Sequence, residues 1–366
     1  MYKIKDRQLK FINMNRKEII TISIALGMSV FSGILHYGSF SQIFAFVVAA
    51  LTLAAVASVI GIATEQLGSR VGPGATGILQ SSLGNLPELF ICIFALQAGL
   101  ADLVKATLIG SILGNSLLVF GLALFVGGLK NGTQYFHSEP PKMIATLMIL
   151  AFAALAIPTL AVMFNTPASK HINSLDCVVA IILLILFASS SYFFIRLDKA
   201  MVNPDPDESE HIATWSLTTS IIVLALAGIL AAFVSEWFVH ALEPAMHALG
   251  INDIFAGLVI VSIAGNAVEH FVGVQLAYRN KPDYAVSVIL NSSLQIALGI
   301  FPILVLLSFF LGGAILSFVL SPMLLAALAL TVVTSAFVVF DGESIWLEGL
   351  ALLGLYCLIA AAFWWG

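Results

Sequence analysis

Apolar residues run along this chain in long blocks rather than alternating with polar ones. Short polar or Pro/Gly-containing breaks separate the blocks. A helix needs roughly 20 mostly apolar residues to cross a bilayer, and the blocks have that length. They predict eleven spans, over residues 18–36, 40–63, 75–98, 102–128, 142–163, 175–197, 213–240, 253–278, 283–310, 321–340 and 345–365. The first follows a basic leader but extends beyond a signal-peptide core and lacks a small-residue cleavage site, so it reads as a retained helix. The expected fold class is therefore an all-α polytopic membrane protein.

Composition agrees: of 366 residues, 60% are hydrophobic and only 10% charged, against about a quarter charged in an ordinary soluble domain. Fifteen Lys and Arg against 20 Asp and Glu leave a formal charge of -5. No basic surface suited to nucleic acid results. The placement of the basic residues is more informative. With the N-terminus on the cytoplasmic side, every one of them except Lys105 and Lys170 falls in a cytoplasmic segment. That imbalance supports both the span count and the orientation by the positive-inside rule. The lipid bilayer is thus the first expected partner, and the cell (inner) membrane the expected location. Cys92, Cys177 and Cys357 lie in apolar runs without paired spacing, which argues against a disulfide framework or thiolate metal site.

Two segments resemble each other. GILQSSLGNLPELFICIFALQAGLADLVKATLIGSILGNSLLVFG starts at Gly77, and GLVIVSIAGNAVEHFVGVQLAYRNKPDYAVSVILNSSLQIALGIF starts at Gly257. Placing Gly84-Asn85-x-x-Glu88 on Gly265-Asn266-x-x-Glu269 gives an offset of 269 minus 88, or 181. The same offset superposes Asp102 on Asp283 and Ser111 on Ser292. Five spans, an odd number, separate equivalent elements, so the copies are antiparallel. The expected layout is a basic N-terminus and first helix (1–39), a first five-helix repeat (40–197), an acidic cytoplasmic linker (198–212) and a second five-helix repeat (213–366). Inverted repeats with polar groups near the midplane are the signature of secondary transporters.

Glu88 and Glu269 each fall deep within a predicted span, near the bilayer midplane. An ionised carboxylate there costs at least a few kcal/mol and usually marks function. Each follows a Gly-Asn pair, and Pro87 removes a backbone donor in the first copy. Two carboxylates, the Asn85 and Asn266 amides, and carbonyls freed near Gly84 and Gly265 make an all-oxygen donor set, which suits a hard cation such as Ca²⁺. The following helices add Ser111 and Asn115 from one half and Asn291, Ser292, Ser293 and Gln295 from the other. Ser111 with Asn115, and Asn291 with Gln295, share helix faces at i,i+4 spacing. Interhelical hydrogen bonding is the competing reading for any single Ser or Asn.

With these motifs the chain resembles the Ca²⁺/H⁺ (cation/proton) antiporter family, CAX, of the cation/Ca²⁺ exchanger superfamily. GNAVEH at Gly265–His270, SSLQIAL at Ser292–Leu298 and GSILGNSLLV at Gly110–Val119 carry the resemblance, with ATEQL, SEWFVH and DGESIWLEG beyond them. It covers about residue 40 to the C-terminus. Leu86-Pro87 departs from the family's usual first signature toward the Na⁺/Ca²⁺ exchanger branch, Asn291 stands where Gly is common, and Ile345 where Asn is common. The resemblance implies alternating-access exchange of Ca²⁺ for H⁺, with Glu88 and Glu269 binding cation or protons and no cofactor. It leaves Mn²⁺ as another substrate and Na⁺ as another driving ion.

The resemblance also implies gating or proton-access roles for Glu65 and Glu236, against simple hydration at helix ends. His270 adjoins Glu269 but points about 100° away on a helix; proton tuning and a core hydrogen bond both fit. Glu236, His240, Glu243 and His247 share one face if Pro244 does not break the helix. The run Asn203–Glu210 reads as a solvated linker. A passive channel fits the inverted repeat poorly, and an intramembrane enzyme lacks an H-E-x-x-H or a midplane Asp pair. The oligomeric state stays open, a homo-oligomer included.

Overall fold

The computed structural model describes residues 14–38, 40–68, 70, 82–201 and 214–365; the side chains of 195–201, 268 and 269 lie outside that description. In chain order the helices are α1 (Arg16–Tyr37), α2 (Gln42–Gly68), α3 (Leu86–Gln97), α4 (Ala101–Leu113), α5 (Phe120–Asn131), α6 (Glu139–Met163) and α7 (Ile172–Met201). They continue as α8 (Leu217–Leu249), α9 (Asp253–Phe255), α10 (Ser262–Gly265), α11 (Ala267–Tyr278), α12 (Pro282–Gln295), α13 (Phe301–Ser308), α14 (Pro322–Val339) and α15 (Trp346–Trp364). The helical reading of the apolar blocks holds throughout the described residues. Nine helices there are long and apolar enough to cross a membrane, or ten if the bent pair Asp253–Gly265 and His270–Tyr278 is one span. The remaining predicted span, 75–98, is represented by the short apolar helix α3, its earlier part lying outside the described residues.

Two compact units divide the chain: Met1–Phe90 with Ser189–Ala245, and Ile91–Ala188 with Met246–Gly366. In the first unit, Val56 and Ile60 of α2 meet Ala25 of α1 and Ala227 and Ala231 of α8, with Leu86 and Phe90 of α3 packed alongside. Small residues let these backbones approach; a Cβ on Gly33 would touch the Trp237 ring at 3.0 Å. Ile20, Ile24 and Phe31 of α1 and Leu226 and Phe233 of α8 stay exposed, an apolar exterior suited to lipid. At the other end of α1, Glu18 accepts from the Trp215 indole (2.9 Å) and the Gln66 amide (3.3 Å). The last helix of this unit departs from expectation. The predicted 213–240 span is a helix to Leu249 that runs through Pro244. Its exposed residues Glu236, His240, Glu243 and His247 therefore do share one continuous face.

In the second unit, α4, a π-helical segment Gly114–Val119 and α5 form one apolar rod, and α12, a π segment Ile296–Ile300 and α13 form another. Adding 181 to 114–119 gives 295–300, so the irregularity obeys the sequence repeat. Helix α15 lies on α5, where a Cβ on Gly121 would be 2.9 Å from the Gly349 carbonyl. One detail departs from the all-α expectation: Gln134–Tyr135 and Glu343–Ser344 pair as a two-residue antiparallel ladder, with Gln134 opposite Ser344.

Candidate cation site

The two Gly-Asn-x-x-Glu motifs interrupt the helix at the same residue. A helix ends at Gly84, Asn85 is a turn residue, and α3 begins at Leu86. In the second copy α10 ends at Gly265, Asn266 takes φ -113° and ψ 14°, and α11 begins at Ala267. The break is capped identically: the Leu89 N–H donates to the Asn85 carbonyl at 3.0 Å and the His270 N–H to the Asn266 carbonyl at 3.1 Å. Asparagine tolerates such non-helical angles at little cost, and around the second break the axis bends by 63°. Pro87 sits in the first turn of α3, where its missing N–H is least expensive. Its own carbonyl accepts from the Ser235 hydroxyl at 3.4 Å.

Glu88 lies in that same first turn and is 1% exposed, with Asn85 beside it equally buried. A carboxylate so deeply withdrawn from water is costly unless its charge is neutralised. A helix N-terminus, with its outward N–H groups, eases that cost in part. Glu269 occupies the equivalent place in α11, and its side chain lies outside the described residues.

Within the second unit the expected polar residues form a buried network. The Asn266 amide donates to the Ser111 hydroxyl at 2.9 Å and to the Ser262 carbonyl at 3.0 Å. These two bonds fix the amide's orientation and leave its buried Oδ1 with no hydrogen-bond donor among the described residues. The Asn115 amide donates to the Ser292 hydroxyl at 3.0 Å, and the Ser116 and Ser293 hydroxyls pair at 2.8 Å. His270 reaches into this network: its Nε2 lies 3.1 Å from Asn115 Oδ1. The expected divergence from Glu269 thus leads His270 to Asn115 rather than to isolation. Gln295 is buried and Asn291 only half-buried on the same helix. Close backbone packing supports the network, since a Cβ on Gly110 would collide with Leu258, and one on Gly257 would lie 2.9 Å from the Thr107 nitrogen.

The peripheral candidates are more dispersed. Glu65 is exposed near the end of α2, and Glu236 is exposed on α8, where the adjacent Trp237 stacks on His36 with ring centroids 5.8 Å apart. Asp102 and Asp283, equivalent by the repeat, have different partners. Asp102 pairs with Lys105 at 3.2 Å, whereas Asp283 accepts from the His137 backbone N–H at 2.6 Å. The acidic linker Asn203–Glu210 lies outside the described residues. Sequence reading did not single out Ser116, Ser262 or the π segments. The π segments leave no mark in composition, while Ser116 sits one residue from Asn115 and was open to the same argument.

Comparison with known proteins places this geometry in context. A family model described as "Sodium/calcium exchanger protein" matches residues 41–196 and 219–365, one block for each half of the chain. The Ca²⁺/H⁺ antiporter ChaA of Bacillus subtilis (strain 168) is 36% identical over 354 residues, covering 96% of this chain and 99% of the relative. A Ca²⁺/H⁺ antiporter of Synechocystis is 33% identical over 348 residues, 90% of this chain and 92% of the relative. Among solved structures, that of native YfkE superposes with a TM-score of 0.78 at 34% identity, over 95% of this chain and 100% of YfkE. The crystal structure of the H⁺/Ca²⁺ exchanger CAX, 15% identical, shares the fold with a TM-score of 0.72 over 95% of this chain and 92% of that one.

Proposed function

Because the chain belongs to the sodium/calcium exchanger family, on its cation/proton exchanger branch, we propose that it exchanges Ca²⁺ for H⁺ across the membrane by alternating access. It is an integral multi-pass transporter rather than an enzyme. Glu88 and Glu269 take up either the cation or protons, and only the neutralised states change access. The observation that carries this reading is the Glu88 carboxyl, 1% exposed one turn beyond a helix break that the second repeat reproduces at Asn266. Two bare carboxylates in a low dielectric raise each other's proton affinity and are expensive to enclose. The empty deprotonated carrier is thereby kept from crossing, which suppresses leak and couples the two ions.

The remaining groups complete an oxygen-rich environment suited to Ca²⁺. Asn266 contributes the Oδ1 that no donor among the described residues satisfies, and Asn85 stands at the equivalent position of the first repeat. Ser111, Asn115, Asn291, Ser292 and Gln295 line or support the path, and backbone carbonyls near Gly84 and Gly265 add oxygens. His270, held on Asn115, serves proton access, and Glu65 and Glu236 gate the two ends. A cytoplasmic N-terminus in the cell membrane, with the proton gradient directed inward, makes the direction Ca²⁺ efflux. The names of the relatives support H⁺ as the driving ion over the Na⁺ that Leu86-Pro87 suggests.

The test is flux in proteoliposomes. Wild-type protein collapses a pH gradient on Ca²⁺ addition without Na⁺, a panel including Mn²⁺ ranks the substrates, and Glu88→Gln or Glu269→Gln abolishes the response. Full exchange in either variant refutes the assignment of the two glutamates.

A further inference from the structure

The connection from α13 to α14 is not a solvated loop. From Ala314 to Leu320 the chain runs without helix, and Leu316, Phe318 and Leu320 point inward with at most 3% exposure. Intervening Ile315 is half exposed, giving the period of two of an extended strand. Backbone polar groups buried without a ladder need other partners, and four supply them. The Leu316 N–H donates to Ser308 Oγ at 3.0 Å. Thr159 of α6 donates to the Phe318 carbonyl at 3.2 Å and accepts from the Leu320 N–H at 3.0 Å. Asp176 of α7, 1% exposed, faces the Ser317 hydroxyl and the Phe318 N–H, its Oδ1 without a hydrogen-bond partner among the described residues. The Ala314 N–H donates to the Leu96 carbonyl at 2.9 Å.

That last bond matters most, because Leu96 is in the final turn of α3. The strap adds a second donor to a helix-end carbonyl that the Gly99 N–H already reaches at 3.0 Å. Beside it, Gly313 lies so close that an added Cβ would collide with the Leu96 carbonyl and come within 2.7 Å of Gln97 Cα. The same helix carries Glu88, eight residues or about 12 Å earlier at 1.5 Å per residue. Phe318 packs against Phe301 with centroids 4.9 Å apart and planes tilted by 56°, tying the strap to the rod that follows the second π segment.

We infer that the strap Gly313–Leu320 is a stop for the Glu88-bearing helix, and that Gly313, Thr159 and Asp176 are positioning residues for the cation site, acting through the Leu96 end of α3. A rigid helix transmits displacement at one end to the other. Lifting the strap therefore alters how Glu88 is presented when the carrier is open on the strap side. Asp176 holds the strap through acceptor geometry, so an isosteric amide that still accepts can replace it. The inference rests on Glu88 being a cation ligand.

The experiment measures Ca²⁺/H⁺ exchange in vesicles of both orientations, with Ca²⁺ supplied in turn from the strap face and from the opposite face. Gly313→Ala is expected to raise KM from the strap face by about fivefold, with kcat held within about twofold and KM from the opposite face unchanged. Thr159→Val, a smaller change that preserves side-chain shape, is expected to show the same one-sided rise and covers the case in which Gly313→Ala does not fold. Asp176→Leu is expected to reproduce it and Asp176→Asn to restore the wild-type value. Unchanged KM from both faces, an equal change from both faces, or Asp176→Asn behaving like Asp176→Leu would overturn the inference. Glu88→Gln in the same vesicles separates the failures: if it still exchanges, the site assignment is wrong, and if it is inactive while the strap variants match wild type, only the strap inference falls.

Discussion

The two helix breaks fall at the same position of the repeat and differ in the residues beside them. At Asn266 the amide is clamped by Ser111 and Ser262, both within the second unit. At Asn85 the neighbouring Pro87 opens the helix covalently, and its carbonyl is met by Ser235. Val268 stands where Pro87 stands. Ser111 and Ser292, equivalent by the repeat, likewise differ: one accepts from Asn266 and the other from Asn115. The repeat thus preserves where the chain breaks, while the residue two places past the break differs, Pro87 in one copy and Val268 in the other. On the proposed function, what both copies keep is the part the ion needs.

The severest way to break this comparison is to neutralise one acid at a time. If the copies are functionally equivalent, Glu88→Gln and Glu269→Gln each reduce Ca²⁺-driven proton flux by at least about a hundredfold, roughly 2.7 kcal/mol; a large loss in only one would make the site one-sided. Next in size is the clamp. Asn266→Ala removes the amide partner of buried Ser111 and is expected to cost about 1–3 kcal/mol of stability, read as a lowered Tm in detergent, together with weaker Ca²⁺ binding. Ser111→Ala is expected to lower Tm less while still weakening Ca²⁺ binding, because it frees the Asn266 amide to rotate. Exchanging the breakers is milder: Pro87→Val brings the first copy to the second copy's residue, and retained exchange within about threefold, under 0.7 kcal/mol, would show that Asn85 suffices for the turn. The smallest effect belongs to the paired aspartates. Asp283→Asn loosens a partly exposed contact to His137 and is expected to shift stability by no more than about 0.5 kcal/mol, with flux unchanged.

Much of the fold was legible because hydrocarbon imposes a simple rule: a backbone crossing it must be helical, so long apolar blocks translate into helices. The repeat was legible for a related reason. Asn and Glu are too rare in such blocks to recur at one offset by accident, and Asn85 and Asn266 duly mark the breaks. Legibility failed where side chains from distant positions complete a backbone. Thr159 and Asp176 look like ordinary members of predicted helices, yet they make an extended strap tolerable between α13 and α14. The π segments escaped notice because a change of helical pitch needs no distinctive residue, although the repeat offset relates them once one is seen. The passage of α8 through Pro244 stayed open in the sequence because Pro is a strong breaker in water, whereas a helix among other helices finds substitutes for the lost bond.

The central claim is that cation and protons occupy the same carboxylates. Calorimetric titration of the purified protein with Ca²⁺, in buffers of different protonation enthalpy near neutral pH, measures the protons expelled per ion bound. The account predicts clear proton release in the wild type and reduced release in Glu88→Gln. Ca²⁺ binding that expels no protons, or release that Glu88→Gln leaves untouched, would contradict it.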